Sequence, residues 1–234
     1  MKIRHFFKVY HTFHRFSMLY CMKTGKNKDK GYRFMKILAV SDTHGDCSRV
    51  IDVYQKLAKE SPVDVIVHCG DYAADARELQ ARLGVHVAWV KGNCDGSYGD
   101  TDWSILETEA GNFLITHGHM EQVDFSKQNI YYKALENQCV GAFFGHTHRA
   151  SYTEMDDVVL MNPGSLTRPR DGSGGTFGLI VTGEDSIWGK IYRYEDFMSS
   201  GSSSGGSSQG GINKPKPKVR GGHLRDLLNY SDRF

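Results

Sequence analysis

No apolar run in this chain approaches the ~18 residues that a helix needs to cross a bilayer, so nothing in it reads as a membrane span. Cysteine is sparse and unpaired: Cys21, Cys47, Cys69, Cys94 and Cys139 form an odd set of five with no paired spacing. That pattern excludes a disulfide-stapled secreted scaffold and reads as a reduced, cytoplasmic protein. No secretory leader is expected either. The first 34 residues are basic and aromatic, but His, Arg and Lys break their apolar stretches short of the ~7–15 residues of a signal-peptide core. A basic body is also missing. The formal net charge of +2 divides unevenly: residues 35–198 hold 14 Lys and Arg against 24 Asp and Glu, a net of −10. Residues 1–34 carry a net +8 and residues 199–234 a net +4. A body this acidic argues against stable nucleic-acid binding, which needs a basic surface. Part of the acidity reads as metal ligands, whose charge a bound cation would offset.

At 234 residues the chain is long enough for one domain with a full core plus tails. Residues 1–34 read as a basic N-terminal extension, disordered or ahead of a mis-assigned start, because Met35 opens a clean strand. From there strands and helices alternate. Strand Lys36–Val40 leads to a helix near Cys47–Lys59 with Val50, Ile51, Val53, Tyr54 and Leu57 on one side. Strand Val63–Cys69, a helix near Ala74–Leu83 and strand Val85–Val90 complete a βαβαβ opening, which implies parallel strands. After Asp95 short strands dominate, near 104–107, 112–116, 140–144, 150–154, 158–161, 177–181 and 186–193, with one helix near Lys127–Gln138. Two mixed sheets packed together with helices outside follow: an α/β fold, a four-layer α-β-β-α sandwich, over residues 35–198. Residues 199–213 are a Gly/Ser-rich linker by composition. Residues 214–234 are a basic tail whose Leu224, Leu227, Leu228, Tyr230 and Phe234 suit one short docking helix or none.

Five segments end these apolar runs with metal-ligating residues: Ser41-Asp42-Thr43-His44-Gly45-Asp46, Gly70-Asp71, Gly92-Asn93-Cys94-Asp95, Thr116-His117-Gly118-His119 and Gly145-His146-Thr147-His148. Loops at the carboxyl ends of strands are where α/β sheets place ligand sites. Asp, Asn and His together suit Mn, Fe, Zn, Ni or Co rather than Cu(I) or an iron–sulfur cluster. Asp42, His44, Asp71, Asn93, His117, His146 and His148 are enough for two divalent ions with one bridging carboxylate. Such a site suits phosphate-ester hydrolysis, in which a metal-bridging hydroxide attacks phosphorus and the cations neutralise the phosphoryl oxygens.

The order Asp-x-His, Gly-Asp, Gly-Asn-x-Asp, Gly-His, Gly-His-x-His resembles the calcineurin-like metallophosphoesterase superfamily. The compact body, with Gly92-Asn93-Cys94-Asp95 and Met161-Asn162-Pro163-Gly164-Ser165, is similar to its small bacterial phosphodiesterase (YfcE-type) branch. The resemblance covers nearly all of residues 35–195. It implies that Asp42, His44 and His148 hold one metal, that Asp71 bridges, and that Asn93, His117 and His146 hold the other. It implies Mn first among the metals, with Ni, Zn, Fe or Co as alternatives, and a small phosphate ester as substrate. His119 is expected near the phosphate, and Asp95 is expected to orient the residue before it. That residue, Cys94, stands where larger members of the superfamily carry His. A thiol is a weak acid and a weak donor, so leaving-group protonation would fall to His119 or the substrate, or the enzyme would prefer good leaving groups.

His68 and His86, inside strands, read as structural. Cys69, Tyr131-Tyr132 and Phe143-Phe144 read as core. Arg168 and Arg170 are placed either to reach phosphate or to lie on the surface. Specificity is expected from the loops Asp95–Trp103 and Glu121–Lys127. The alternative to an enzyme is a non-catalytic scaffold on this fold, which the intact ligand set disfavours. A homo-oligomer is left open, and no membrane partner is expected.

Overall fold

A computed structural model describes residues 34–96 and 99–200; the expectations for residues 1–33 and 201–234 lie outside these. Two five-stranded sheets form. The first, in the order β10-β9-β1-β2-β3, contains β1 (Met35–Val40), β2 (Val65–His68), β3 (His86–Trp89), β9 (Thr176–Gly183) and β10 (Ser186–Arg193). The second, in the order β4-β5-β6-β8-β7, contains β4 (Trp103–Thr108), β5 (Gly111–Thr116), β6 (Cys139–Phe143), β7 (Ser151–Met155) and β8 (Val158–Asn162). β1, β2 and β3 run parallel, as do β5, β6 and β8, while β9 and β10 in the first sheet and β4 and β7 in the second pair antiparallel. The helices are α1 (Ser48–Glu60), α2 (Ala73–Leu83), α3 (Gln128–Glu136) and α4 (Tyr194–Ser199).

Strand alternation explains the layering. Ile37 and Ala39 of β1 join Val65 and Val67 of β2, Phe113 and Ile115 of β5, and Phe143 of β6 in the core between the sheets. Leu38 and Val40 are equally buried but point the other way. β1 and β2 therefore read as unbroken apolar runs, as expected of strands covered on both faces. On the far side of the second sheet, Leu114, Ala142 and Leu160 pack with Ile130 and Ala134 of α3. Phe113 and Phe143 stack at 5.2 Å in the middle of the sandwich, and burial of rings of this size stabilises by about 1.5–3 kcal/mol each.

Two details depart from expectation. α4 has no long apolar period to announce it; Phe197 holds it, edge-on to Phe177 and Tyr192, with its carbonyl accepting from Lys56 Nζ at 2.5 Å. Tyr132 is exposed, whereas Tyr131 packs on the core and Phe143 and Phe144 are buried. Tyr131 and Tyr132 are neighbours on α3, and adjacent residues of a helix cannot share a face.

Candidate metal centre

The parallel strands of both sheets end on the same site. Asp42 and His44 follow β1, Asp71 follows β2, Asn93 follows β3, His117 follows β5, and His146 and His148 follow β6. The donor atoms of Asp42, His44, Asp71 and His148 all lie within 4.8 Å of one another. His117 Nε2 lies 3.3 Å from Asp71 Oδ1 and 3.0 Å from Asn93 Oδ1. His146 Nδ1 lies 2.9 Å from the same Asn93 oxygen. All seven residues singled out in the sequence thus meet, with Asp71 between the two groups.

Backbone strain accompanies the gathering. Asp42, His44, Asp71, His146 and His148 all have φ between 50° and 69°, a left-handed conformation that few side chains adopt without cost. Close approach is needed as well. A Cβ on Gly92 would collide with the Asp71 carboxylate, and one on Gly145 would strike Ser41 Oγ and come within 2.8 Å of Asp42 Oδ2.

The hydrogen bonds decide which atoms face the centre. His117 Nδ1 donates to the Cys69 carbonyl at 2.8 Å, and His148 Nδ1 donates to the Arg168 carbonyl at 2.6 Å. A carbonyl only accepts, so each ring keeps its proton on Nδ1 and turns a bare Nε2 inward. His146 directs Nε2 to the Asp124 carboxylate at 2.8 Å and Nδ1 inward. Burial lowers the pKa of His44, His117 and His148, to about 4 for His117, which keeps these rings neutral near pH 7. The bare Nε2 of His148 lies 3.2 Å from His44 Nε2. His148 Nε2 lies 3.3 Å from Asp42 Oδ1, and that buried oxygen has no hydrogen-bond donor among the described residues. Carboxylate oxygens and imidazole nitrogens converging this closely fit a divalent cation.

The two bracketing carboxylates differ. Burial, with Asp71's charge adding, pushes the Asp42 pKa up to about 7, against the nearby Ser41 hydroxyl and the hydrogen bond from the His146 N–H. Burial acts to raise Asp71 too, but His117 and the hydrogen bonds from Cys94 outweigh it, and its pKa is lowered.

The remaining sequence-predicted residues sit close by in different roles. Cys94 donates to Asp71 twice, from its N–H at 2.9 Å and from Sγ at 3.1 Å. Burial and the Asp71 carboxylate raise its thiol pKa to about 11, so it stays protonated. Asp95 accepts from the backbone N–H groups of Tyr72, Ala73 and Gly92 at 2.7–3.1 Å. It caps α2 and ties the Asp71 turn to the Asn93 turn; its bonds go to backbone rather than to the Cys94 side chain. The His119 ring lies 5.3 Å from His117 and 6.1 Å from His146, and its buried Nδ1 has no partner among the described residues.

Other residues support the centre in ways that the sequence did not specify. The chain Gly70 N–H to His68 Nδ1, His68 Nε2–H to Thr43 Oγ1, and Thr43 Oγ1–H to Asp75 Oδ2 joins the Asp42 and Asp71 loops at 3.3, 2.9 and 2.5 Å. His68 is structural as expected, and its neutral form, held by burial at a pKa of about 4, is the one this chain needs. Ser165 Oγ donates to the Asp42 carbonyl at 2.9 Å, and Asn162 Nδ2 to the Gly145 carbonyl at 2.8 Å. The Asn162-Pro163-Gly164-Ser165 motif was visible in the sequence, and the lone Asp in the run Ala73-Ala74-Asp75-Ala76, which the fold buries, could have flagged another part of the support.

Comparison with known proteins agrees with this geometry. The profile of the calcineurin-like phosphoesterase superfamily domain matches residues 35–185. The chain is similar to a probable metallophosphoesterase, YsnB, of Bacillus subtilis, at 31% identity over 160 residues, covering 68% of this chain and 90% of the relative. It is similar to the phosphodiesterase YfcE of Escherichia coli K12, at 26% identity over 167 residues, covering 62% of this chain and 87% of that protein. Among solved structures, a conserved uncharacterized protein and predicted phosphoesterase from Streptococcus pneumoniae superposes with a TM-score of 0.59 at 24% identity, over 70% of this chain and 91% of that one. That likeness bears on the fold.

Proposed function

The chain belongs to the calcineurin-like phosphoesterase superfamily, in its small YfcE-type branch, and on that premise we propose that it is a phosphodiesterase holding two divalent metal ions. The observation that carries the reading is the convergence of donor atoms from Asp42, His44, Asp71 and His148, all within 4.8 Å of one another, with Asp42 Oδ1 buried and without a hydrogen-bond partner among the described residues. Asp42, His44 and His148 would hold one ion, Asn93, His117 and His146 the other, and Asp71 both. Mn is the first candidate, since the donors are hard to borderline. When bound, such ions polarise the phosphoryl oxygens and acidify the attacking water.

The chain's own residues supply the rest. The Cys69, Arg168 and Asp124 acceptors fix the three imidazole orientations. Cys94 keeps its proton and orients Asp71, a weak choice for protonating a leaving group. His119, half-buried with an unpartnered Nδ1, is the better-placed proton donor. The four described cysteines Cys47, Cys69, Cys94 and Cys139 are free, which supports a reducing compartment such as the cytoplasm. Among the described residues no helix is long and apolar enough to cross a membrane.

Elemental analysis of protein purified without chelator, together with turnover of bis(p-nitrophenyl) phosphate after Mn²⁺ addition, tests the reading. About two metals per chain with turnover is the expected result. Bound metal without turnover of any phosphate ester would replace the enzyme with a scaffold.

A further inference from the structure

Against the wall of the candidate centre formed by the 145–148 loop lies a pocket of about 280 Å³. The buried Val123 and Phe144 give it apolar lining, and it shares with the candidate centre Thr147, between His146 and His148 in the chain, and Asp124, which His146 contacts. Three cationic side chains line it: Lys127, Arg149 and Arg170. They come from three separate places, the turn before α3, the β6–β7 connection and the β8–β9 connection. Tertiary structure, not a basic run of sequence, brings them together.

Among the described residues none of the three forms an ion pair, and the lining sets three cations against one carboxylate. The one acidic lining residue, Asp124, is engaged by His146 at 2.8 Å. The Lys and Arg ion pairs among the described residues lie elsewhere, on Arg49, Arg77, Arg82, Lys91, Lys133 and Arg193. Lys127 reaches only Thr153 Oγ1, at 3.5 Å, and burial lowers its pKa. Three like charges around one concavity repel each other, and in an otherwise acidic body their convergence calls for an anion. Arginine's planar fork suits a carboxylate or phosphate group. The pocket's size suits part of a small molecule rather than a polymer.

We propose that this pocket is a subsite for a second oxyanion on the substrate, a phosphate or carboxylate carried by the part of the molecule away from the scissile phosphorus. The assignment rests on the phosphoesterase reading for where the first phosphate sits. It narrows the substrate class to small phosphate esters with at least two anionic groups.

The test is calorimetric binding to the Mn²⁺-loaded full chain of a matched pair, 3-phosphoglycerate and glycerol 3-phosphate, which differ by a carboxylate against a hydroxymethyl group. Measurement at about 0.15 M salt screens long-range attraction. The expected result is that 3-phosphoglycerate binds about tenfold tighter or more, the scale of one charge-assisted contact. Arg149→Met and Lys127→Met should each pull that ratio toward one by weakening 3-phosphoglycerate alone, and Arg149→Lys should restore part of it. A ratio near one in the unmodified protein, or equal weakening of both ligands in the variants, overturns the subsite. Turnover of bis(p-nitrophenyl) phosphate separates the two proposals. A ratio near one with turnover removes the subsite and leaves the enzyme; a high ratio without turnover does the reverse.

Discussion

The two halves of the proposed metal centre are built to different standards of burial. The Asp42, His44 and His148 half is nearly closed, with Asp42 fully buried and His148 4% exposed. The half formed by Asn93, His117 and His146 opens outward: His117 is fully buried, but Asn93 is exposed and the His146 side chain is 24% exposed. The inner half also carries the tighter supports, from the Thr43–His68–Asp75 chain and from Ser165 on the Asp42 carbonyl. A buried, pre-strained donor set binds its ion tightly and pays for it when empty, because the Asp42 charge is then stranded in a low dielectric. The open half has water as an alternative ligand, so it should exchange its ion more readily and leave room for substrate.

The largest effect should come from the residue the halves share. Asp71→Asn is expected to reduce metal content toward zero and turnover by on the order of 10³-fold, as for loss of a central electrostatic group. Elemental analysis and bis(p-nitrophenyl) phosphate kinetics read both. Near-normal activity would end the shared-ligand scheme.

Asp42→Asn strikes the inner half alone and should move stability in the opposite direction from function. The Asp42 pKa is about 7 in the fold, against about 3.9 in an unfolded chain. The folded form therefore holds the proton more tightly, and this group's contribution turns unfavourable as pH rises from about 4 to about 7. Chelator-treated Asp42→Asn protein should melt higher than the unmodified protein at about pH 8 and equally near pH 4, while losing the inner ion. Identical melting curves at both pH values would show that Asp42 is not stranded.

Asn93→Ala is expected to cost only the outer ion, leaving about one metal per chain. If both ions are lost, the halves are one cooperative unit and their contrast in burial has no thermodynamic weight. The smallest effect belongs to Cys94. Its role is a donated hydrogen bond to Asp71, which a hydroxyl can also supply, so Cys94→Ser should change kcat/KM by no more than about threefold, less than one net hydrogen bond is typically worth. A loss of hundredfold would give the thiol a chemical role of its own.

The proposed ligand residues were legible because each is announced twice, by residue type and by its place after an apolar run. Asp42, Asp71 and His117 each follow a stretch whose composition already reads as a strand. How the supports act was not legible. Asp95 acts through the backbone of residues 72, 73 and 92, and no side-chain pattern encodes which backbone a carboxylate will meet. Asp75, 30 or more residues beyond the groups it holds in the Asp42 loop, sits on the helix after the next strand. Its partners become neighbours only once β1 and β2 pair. Likewise Lys127, Arg149 and Arg170 read as scattered surface charges until the loops fold around one pocket.

The sequence by itself determined the strand order, the helices other than α4, the inward alternation that makes two sheets, and the seven residues proposed as metal donors, because periodicity and residue chemistry are local properties. The tertiary structure alone decided which nitrogen of each histidine faces the centre, that Asp42 is stranded while Asp71 is not, and that three distant cations share a cavity. Those outcomes depend on carbonyls, carboxylates and burial contributed by segments tens of residues away, and on left-handed turns at Asp42, His44 and Asp71 whose cost only the closed fold repays.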